Sequence, residues 1–184
     1  MAFLAFSALF LLAYRVMDVH VAQADITVFA VDAIVIPCSA SAVNPGILSI
    51  LAGKGGDEIA MELTAKAPLA IGAAMIAACP QLAAQHAVLV PIIKYPDDDV
   101  ATELLRRAVK AALIAAKMKR YQTIALPPMV GQEGGSTLAE ATRAVVQEIR
   151  THNAEFPHKV YFVDSSESIT QIFENAIKYS QHSL

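Results

Sequence analysis

The chain has 184 residues and a formal net charge of −3 at pH 7, with a mean hydropathy of +0.47. That length suits one domain with a sizeable core, and 55% hydrophobic against 17% charged residues excludes intrinsic disorder. No apolar run reaches the roughly 18–20 residues of a membrane-spanning helix, and the small basic cluster Lys117-Met-Lys-Arg120 makes no general nucleic-acid footprint.

Taken in order, the pattern predicts alternating strands and helices. Residues 19–22 and 26–29 read as strands, with Ala24-Asp25 between them. The continuous apolar run 33–37 reads as a strand buried on both faces, ended or edged by Pro37. A small-residue loop over 38–44 follows, then a helix from Pro45 through Leu51, broken by Gly53-Lys-Gly-Gly56. Asp57 is the expected N-cap of a helix over 57–66. After a turn between Pro68 and Gly72 come the segment 73–78 and a strand over 86–93. Asp97-Asp-Asp99 is expected to cap a long helix over 100–120, with Leu104, Leu105, Ala108, Ala112 and Ala115 at helical spacing. A strand over 123–126, a helix over 137–152 and a strand over 159–163 follow. Asp164-Ser-Ser-Glu167 resembles a capping box opening a last helix through about residue 178. The order predicts one α/β domain with a mixed, mostly buried sheet and helices on both faces.

In such a sheet, ligands bind beyond the carboxyl ends of the central strands. Two small-residue loops occupy that place: Pro37-Cys-Ser-Ala-Ser-Ala-Val-Asn-Pro-Gly46 and Pro128-Met-Val-Gly-Gln-Glu-Gly-Gly135. Both run towards a helix N-terminus, where backbone N–H groups and the helix dipole favour a phosphate. Neither matches the dinucleotide or Walker pattern. Two cysteines, Cys38 and Cys79, are too few for a disulfide framework or a cysteine zinc site and read as buried small hydrophobes in a reducing compartment. His20, His152, His158 and His182 show no metal-ligand spacing, and His86 reads as structural or exposed, so no metal or other cofactor is expected.

Several ordered blocks resemble a macro domain: Ala24-Asp-Ile-Thr27, Val31-Asp-Ala-Ile-Val35, Pro68-Leu-Ala-Ile-Gly-Ala73 and Thr123-Ile-Ala-Leu-Pro-Pro128. The resemblance covers about residues 18–178. It is closest to the histone-type branch through Leu51-Ala-Gly-Lys-Gly-Gly-Asp57, Pro68-Leu-Ala-Ile-Gly72, Val160-Tyr-Phe-Val163 and Ser166-Glu-Ser-Ile169. It implies a three-layer α/β/α fold with a mixed central sheet, binding ADP-ribose, a relative, or an ADP-ribosylated protein. It further implies that Asp25 accepts a hydrogen bond from the adenine amino group, a task suited to an acceptor-only carboxylate, and that Ile26 packs by the ring. Val130, Gly131, Gln132, Gly134 and Gly135 would cradle the phosphates.

The departures bear on chemistry. The family's N-A-A-N reads Ile36-Pro-Cys-Ser39, so Ser39 stands where an asparagine orients the distal ribose in the family's hydrolases. The triple-glycine loop is reduced to Asn44-Pro-Gly46, next to Ile47, and Pro45 removes an N–H that a phosphate would use. Asn44, Gly46 and Ile47 stay in the expected ligand set. The favoured expectation is a binding module with weak or no catalysis. The alternative is a hydrolase removing ADP-ribose or acetyl groups from ADP-ribosyl linkages, with Lys94 and Glu133 as its machinery, since a branch of the family is similar in placing a lysine and a carboxylate near the distal ribose. A third possibility is a degenerate domain kept as an interaction surface.

Residues 1–16 form an apolar extension before a domain over 17–184. It reads as a signal peptide, a docked short helix, or a start codon assigned too early, the last being favoured. A cytoplasmic protein without membrane attachment is expected.

Overall fold

The computed structural model describes residues 17–41, 51, 54–95, 98–130 and 137–180. The extension 1–16 and the helix expected from Pro45 through Leu51 therefore lie outside the description, save for Leu51 itself.

Six strands are described: β1 Asp18–Gln23, β2 Ala33–Ser39, β3 Met75–Ala78, β4 His86–Ile93, β5 Thr123–Leu126 and β6 Lys159–Asp164. Four helices accompany them: α1 Gly56–Lys66, α2 Thr102–Lys119, α3 Leu138–Thr151 and α4 Glu167–Ser180. The strands form one sheet in the order β1-β6-β5-β2-β4-β3. All neighbours are parallel except β3, which runs antiparallel to β4 at one edge.

Both faces of the sheet are covered, so its strands alternate between two cores rather than between core and water. Ala33, Val35, Val88, Val90, Ile124, Leu126, Val160 and Phe162 face α2, α3 and α4. Ile34, Ile36, Cys38, Ala87, Leu89, Ala125 and Val163 face the side of Leu51 and α1. The result is a mixed sheet within an α/β/α sandwich. In α2, Leu105, Ala108, Val109, Ala112 and Ala116 form the buried stripe, and its alanines let the helix approach the sheet closely.

The central strands match their apolar runs, but several local expectations do not hold. Residues 26–28 form turns, not a strand. The Asp25 carboxylate takes the Thr27 N–H, and Val28 N–H and Phe29 N–H bond back to the carbonyls of Asp25 and Ile26, which folds the segment over. Strand β2 continues through Pro37 to Ser39. Its pairing with β5 ends at Ile34, so the proline removes no donor from that ladder.

The expected caps also move. Helix α1 starts after Gly55, which has φ 90°, with Asp57 inside the first turn. Asp98 closes a local turn by accepting the Tyr95 N–H at 2.9 Å, and α2 begins after Ala101 without a side-chain cap. The Asp164 carboxylate accepts the Ser166 N–H at 2.7 Å, and α4 begins only at Glu167. For Asp98 and Asp164 the short acidic side chain satisfies a nearer turn amide instead of capping where its spacing suggests. At α3 the capping box is present, between Thr137 and Glu140.

Asp32 ties the amino ends of two central strands together. Its carboxylate accepts from Gln122 N–H at 2.7 Å, Thr123 N–H at 2.9 Å and the Thr123 hydroxyl at 3.2 Å, and its own N–H donates to that hydroxyl at 3.1 Å. This fixes β2 against β5 at the end of the sheet opposite the candidate site.

Candidate ligand-binding site

Five parallel strands end on one edge of the sheet. Their last residues are Gln23, Asp164, Leu126, Ser39 and Ile93, in the order β1, β6, β5, β2, β4. The described site residues follow or end these strands. Asp25 and Ile26 come after β1, Val130 after β5, Ser39 ends β2, and Lys94 follows β4. Three strand spacings separate β1 from β2, about 14 Å at roughly 4.8 Å each.

The most developed polar cluster lies after β1. Asp25 Oδ1 accepts from Thr27 N–H at 2.8 Å and from the Thr27 hydroxyl at 2.7 Å. Lys54 Nζ donates to Asp25 Oδ2 at 3.2 Å and to Thr27 Oγ1 at 2.8 Å. Thr27 is buried, and its carbonyl accepts the Ala83 N–H. Asp25 and Lys54 remain open to solvent, with side chains 46% and 47% exposed. The two bonds from Thr27, with a further one from Lys54, hold the Asp25 carboxyl below the usual carboxylate range. It is therefore an anion at neutral pH.

Lys54 reaches this position through the glycines that follow it. Gly55 takes the left-handed φ of 90°, and a methyl group on Gly56 would meet the Leu51 backbone at 2.7 Å. The amides of Lys54 and Gly56 both bond to the Leu51 carbonyl, closing a tight turn into α1. In the sequence this stretch reads as a helix break and as one block of the family resemblance, with no role for Lys54. The Asp-x-Thr spacing of Asp25 and Thr27 is a turn signature that could have been read. Nothing in the sequence links Lys54 to Asp25.

The remaining expected residues are distributed as follows. Ile26 packs partly buried against the core on the α1 side. Ser39 is fully buried, with its hydroxyl 3.2 Å from that of Ser41. Beside it the pairing of β2 with β4 slips, from Cys38 opposite Pro91 to Ser39 opposite Ile93. Such a bulge re-aims side chains at a sheet rim. Val130 has its side chain in the core, leaving the backbone as its contribution to any ligand. Lys94 is exposed, and its ammonium lies 4.9 Å over the Tyr95 ring. Asn44, Gly46, Ile47, Gly131, Gln132, Glu133, Gly134 and Gly135 lie outside the described residues.

Burial pushes the Cys38 thiol to about 12, and burial with the nearby Glu62 charge pushes Cys79 to about 11. Both stay protonated and unreactive at neutral pH, as small core residues do. His86 is half-buried, its ring 5.2 Å from that of Tyr121. Among the described residues, no group of three or more His, Cys, Asp or Glu side chains converges as a metal site, and no helix is long and apolar enough to cross a membrane.

Comparison with known proteins agrees with this architecture. An uncharacterized protein of Aquifex aeolicus is 30% identical over 162 residues, spanning 88% of this chain and 98% of its own length. Among solved structures, a mutant macrodomain of Oceanobacillus iheyensis with ADPR superposes with a TM-score of 0.73 at 23% identity, covering 89% of this chain and 93% of that one. A Trypanosoma brucei macrodomain in complex with ADP gives a TM-score of 0.75 at 17% identity, covering 87% and 69%. The Macro domain family matches residues 42–145, more than half of the sequence. With the sheet order, the two-sided core and the ordered sequence blocks, this match makes the chain a member of the macro domain family.

Proposed function

We propose that this protein binds ADP-ribose, or a ligand carrying it, along the carboxyl edge of the sheet, as a binding module with little or no catalysis. The observation that carries the proposal is the linear order of groups on that edge. An anionic acceptor, Asp25, follows β1; Val130 comes after β5, with a glycine-rich stretch of sequence next; a buried hydroxyl, Ser39, ends β2. ADP-ribose presents a base with an amino donor, then two phosphates, then a second ribose. In this reading the base meets Asp25 and Ile26, and the phosphates meet backbone N–H groups of Val130, Gly131, Gln132, Gly134 and Gly135. The distal ribose lies towards Ser39, and Asn44, Gly46 and Ile47 complete the proposed ligand-binding set. The superposed macrodomains solved with ADPR and in complex with ADP support the same ligand class.

Two features favour binding over turnover. Ser39 replaces the amide expected of a hydrolase and is already beside Ser41. Lys94, the nucleophile of the alternative mechanism, is exposed, with its side-chain nitrogen over the Tyr95 ring.

A thermal-shift screen with ADP-ribose, O-acetyl-ADP-ribose, ADP and NAD tests the proposal. A ligand at 100 times its dissociation constant adds about 2.7 kcal/mol, readily seen as a rise in melting temperature. ADP-ribose is expected to give the shift. Melting curves unchanged by all four ligands at millimolar concentration would overturn the proposal.

A further inference from the structure

Helices α2 and α3 each follow a parallel strand, so both begin at the carboxyl end of the sheet, packed side by side on one face. Between them lies an open groove of about 390 Å³, lined by Thr102 and Arg106 of α2 and by Glu140, Arg143, Ala144 and Gln147 of α3. None of these residues belongs to the expected ligand set. Arg106 Nη2 donates to Gln147 Oε1 at 2.7 Å, which spends one of its five N–H groups and steadies the guanidinium in the groove. Arg143, on the opposite wall, makes no hydrogen bond to another described residue. Glu140 is the one carboxylate of the lining. Its Oε2 serves the helix start, accepting the Thr137 N–H at 3.0 Å and the Thr137 hydroxyl at 2.9 Å. The other acidic residues of the two helices, Glu103 and Glu148, do not line the groove. Lys110 lies one turn after Arg106, and its charge and that of Lys117 reach His152 at the end of α3, so the cationic row continues along the same helix pair. On a chain of net charge −3, this face is a local concentration of positive charge.

We propose that the groove between α2 and α3 is a second anion site, separate from the ADP-ribose edge, and that it takes a phosphate group, free or as a monoester. Two guanidiniums on facing walls favour a tetrahedral anion. A carboxylate is planar, and one bidentate arginine uses both of its oxygens. A phosphate monoester has three acceptor oxygens pointing apart, so it pairs with one arginine through two of them and offers the third to the other. The charges also match. Arg106, Arg143 and Lys110 outnumber Glu140 by two, which a phosphate dianion balances. Helix α2 begins after Ala101 without a side-chain cap, and the dipole of its first turn adds to the same attraction.

Amide chemical-shift titration of the full chain tests this site by site. The probes are inorganic phosphate, glycerol 3-phosphate and succinate, a dicarboxylate control, all at constant ionic strength. The proteins are wild type, Arg106→Gln, Arg143→Gln and Arg143→Lys, with circular dichroism confirming the fold. In the wild type, amides of residues 102–106 and 140–147 are expected to shift saturably with the phosphate probes and more weakly with succinate. Arg106→Gln and Arg143→Gln each weaken that binding about tenfold, the scale of a hydrogen bond between charged groups. Arg143→Lys recovers only part of the loss, because it keeps the charge without the planar fork. Tighter binding of glycerol 3-phosphate assigns the site to a monoester, and equal or tighter binding of inorganic phosphate assigns it to the free anion. Absence of saturable shifts at these amides with millimolar phosphate probes would overturn the proposal. So would unchanged affinity in folded Arg106→Gln and Arg143→Gln, or succinate that binds as tightly as phosphate.

Discussion

Gly56 sets the position of the Asp25–Lys54 pair. The chain turns back at the Leu51 carbonyl, so closely that a side chain on Gly56 would meet Leu51 backbone atoms at 2.7 Å. Backbone cannot swing aside as the end of a flexible side chain can. Gly56→Ala is therefore expected to cost about 1–3 kcal/mol, the range of other overpacked sites, measured as a lowered urea midpoint. An unchanged midpoint would show that the Leu51 turn yields freely. The same turn explains what was legible at this scale. Asp25 stands out in the sequence because its neighbours form a block resembling a known family. Lys54 does not, because its contact spans 29 residues and depends on the left-handed backbone at Gly55.

At the level of elements, the long apolar runs were easy to read. β2, β4 and β5 are buried on both faces, and continuous hydrophobicity over four to eight residues is their direct signature. The segment 26–29 misleads because Ile, Val and Phe favour strands, while Asp25 and Thr27 close a turn that overrides that preference. The misplaced caps at Asp57, Asp98 and Asp164 have a related cause: an aspartate signals a nearby turn or helix start without fixing which residue it serves.

Helix α3 carries the clearest test at this scale. It starts on a complete capping box and ends at His152, whose Nε2 is buried without a hydrogen-bond partner among the described residues. Burial, with Lys117 and Lys110 nearby, lowers the His152 pKa below its ordinary 6.5. Above pH 6.5 the ring is neutral in both folded and unfolded chains, and it contributes no pH dependence. As pH falls below 6.5, the unfolded chain takes up a proton that the folded chain refuses, and stability declines until the folded value is passed. His152→Gln is expected to flatten that part of the stability profile between pH 7 and 5. A melting-temperature profile identical to wild type over that range would refute the assignment.

For the whole molecule, the unusually apolar composition has a structural cause. A sheet covered on both sides needs apolar residues at successive positions, and alanine-rich α2 packs close against one of its faces. The buried apolar residues of the described strands and helices therefore belong to a two-sided core. The same parallel arrangement gathers five strand ends on one edge, so residues far apart in sequence line up as a ligand's parts are linked. Whether this edge holds ADP-ribose is settled most directly by isothermal titration of ADP-ribose into wild type and Asp25→Ala. Saturable one-to-one binding by the wild type, weakened at least about tenfold in a folded Asp25→Ala variant, is expected from loss of a charged acceptor. No heat from the wild type at millimolar ligand, or equal affinity for the two proteins, would contradict it.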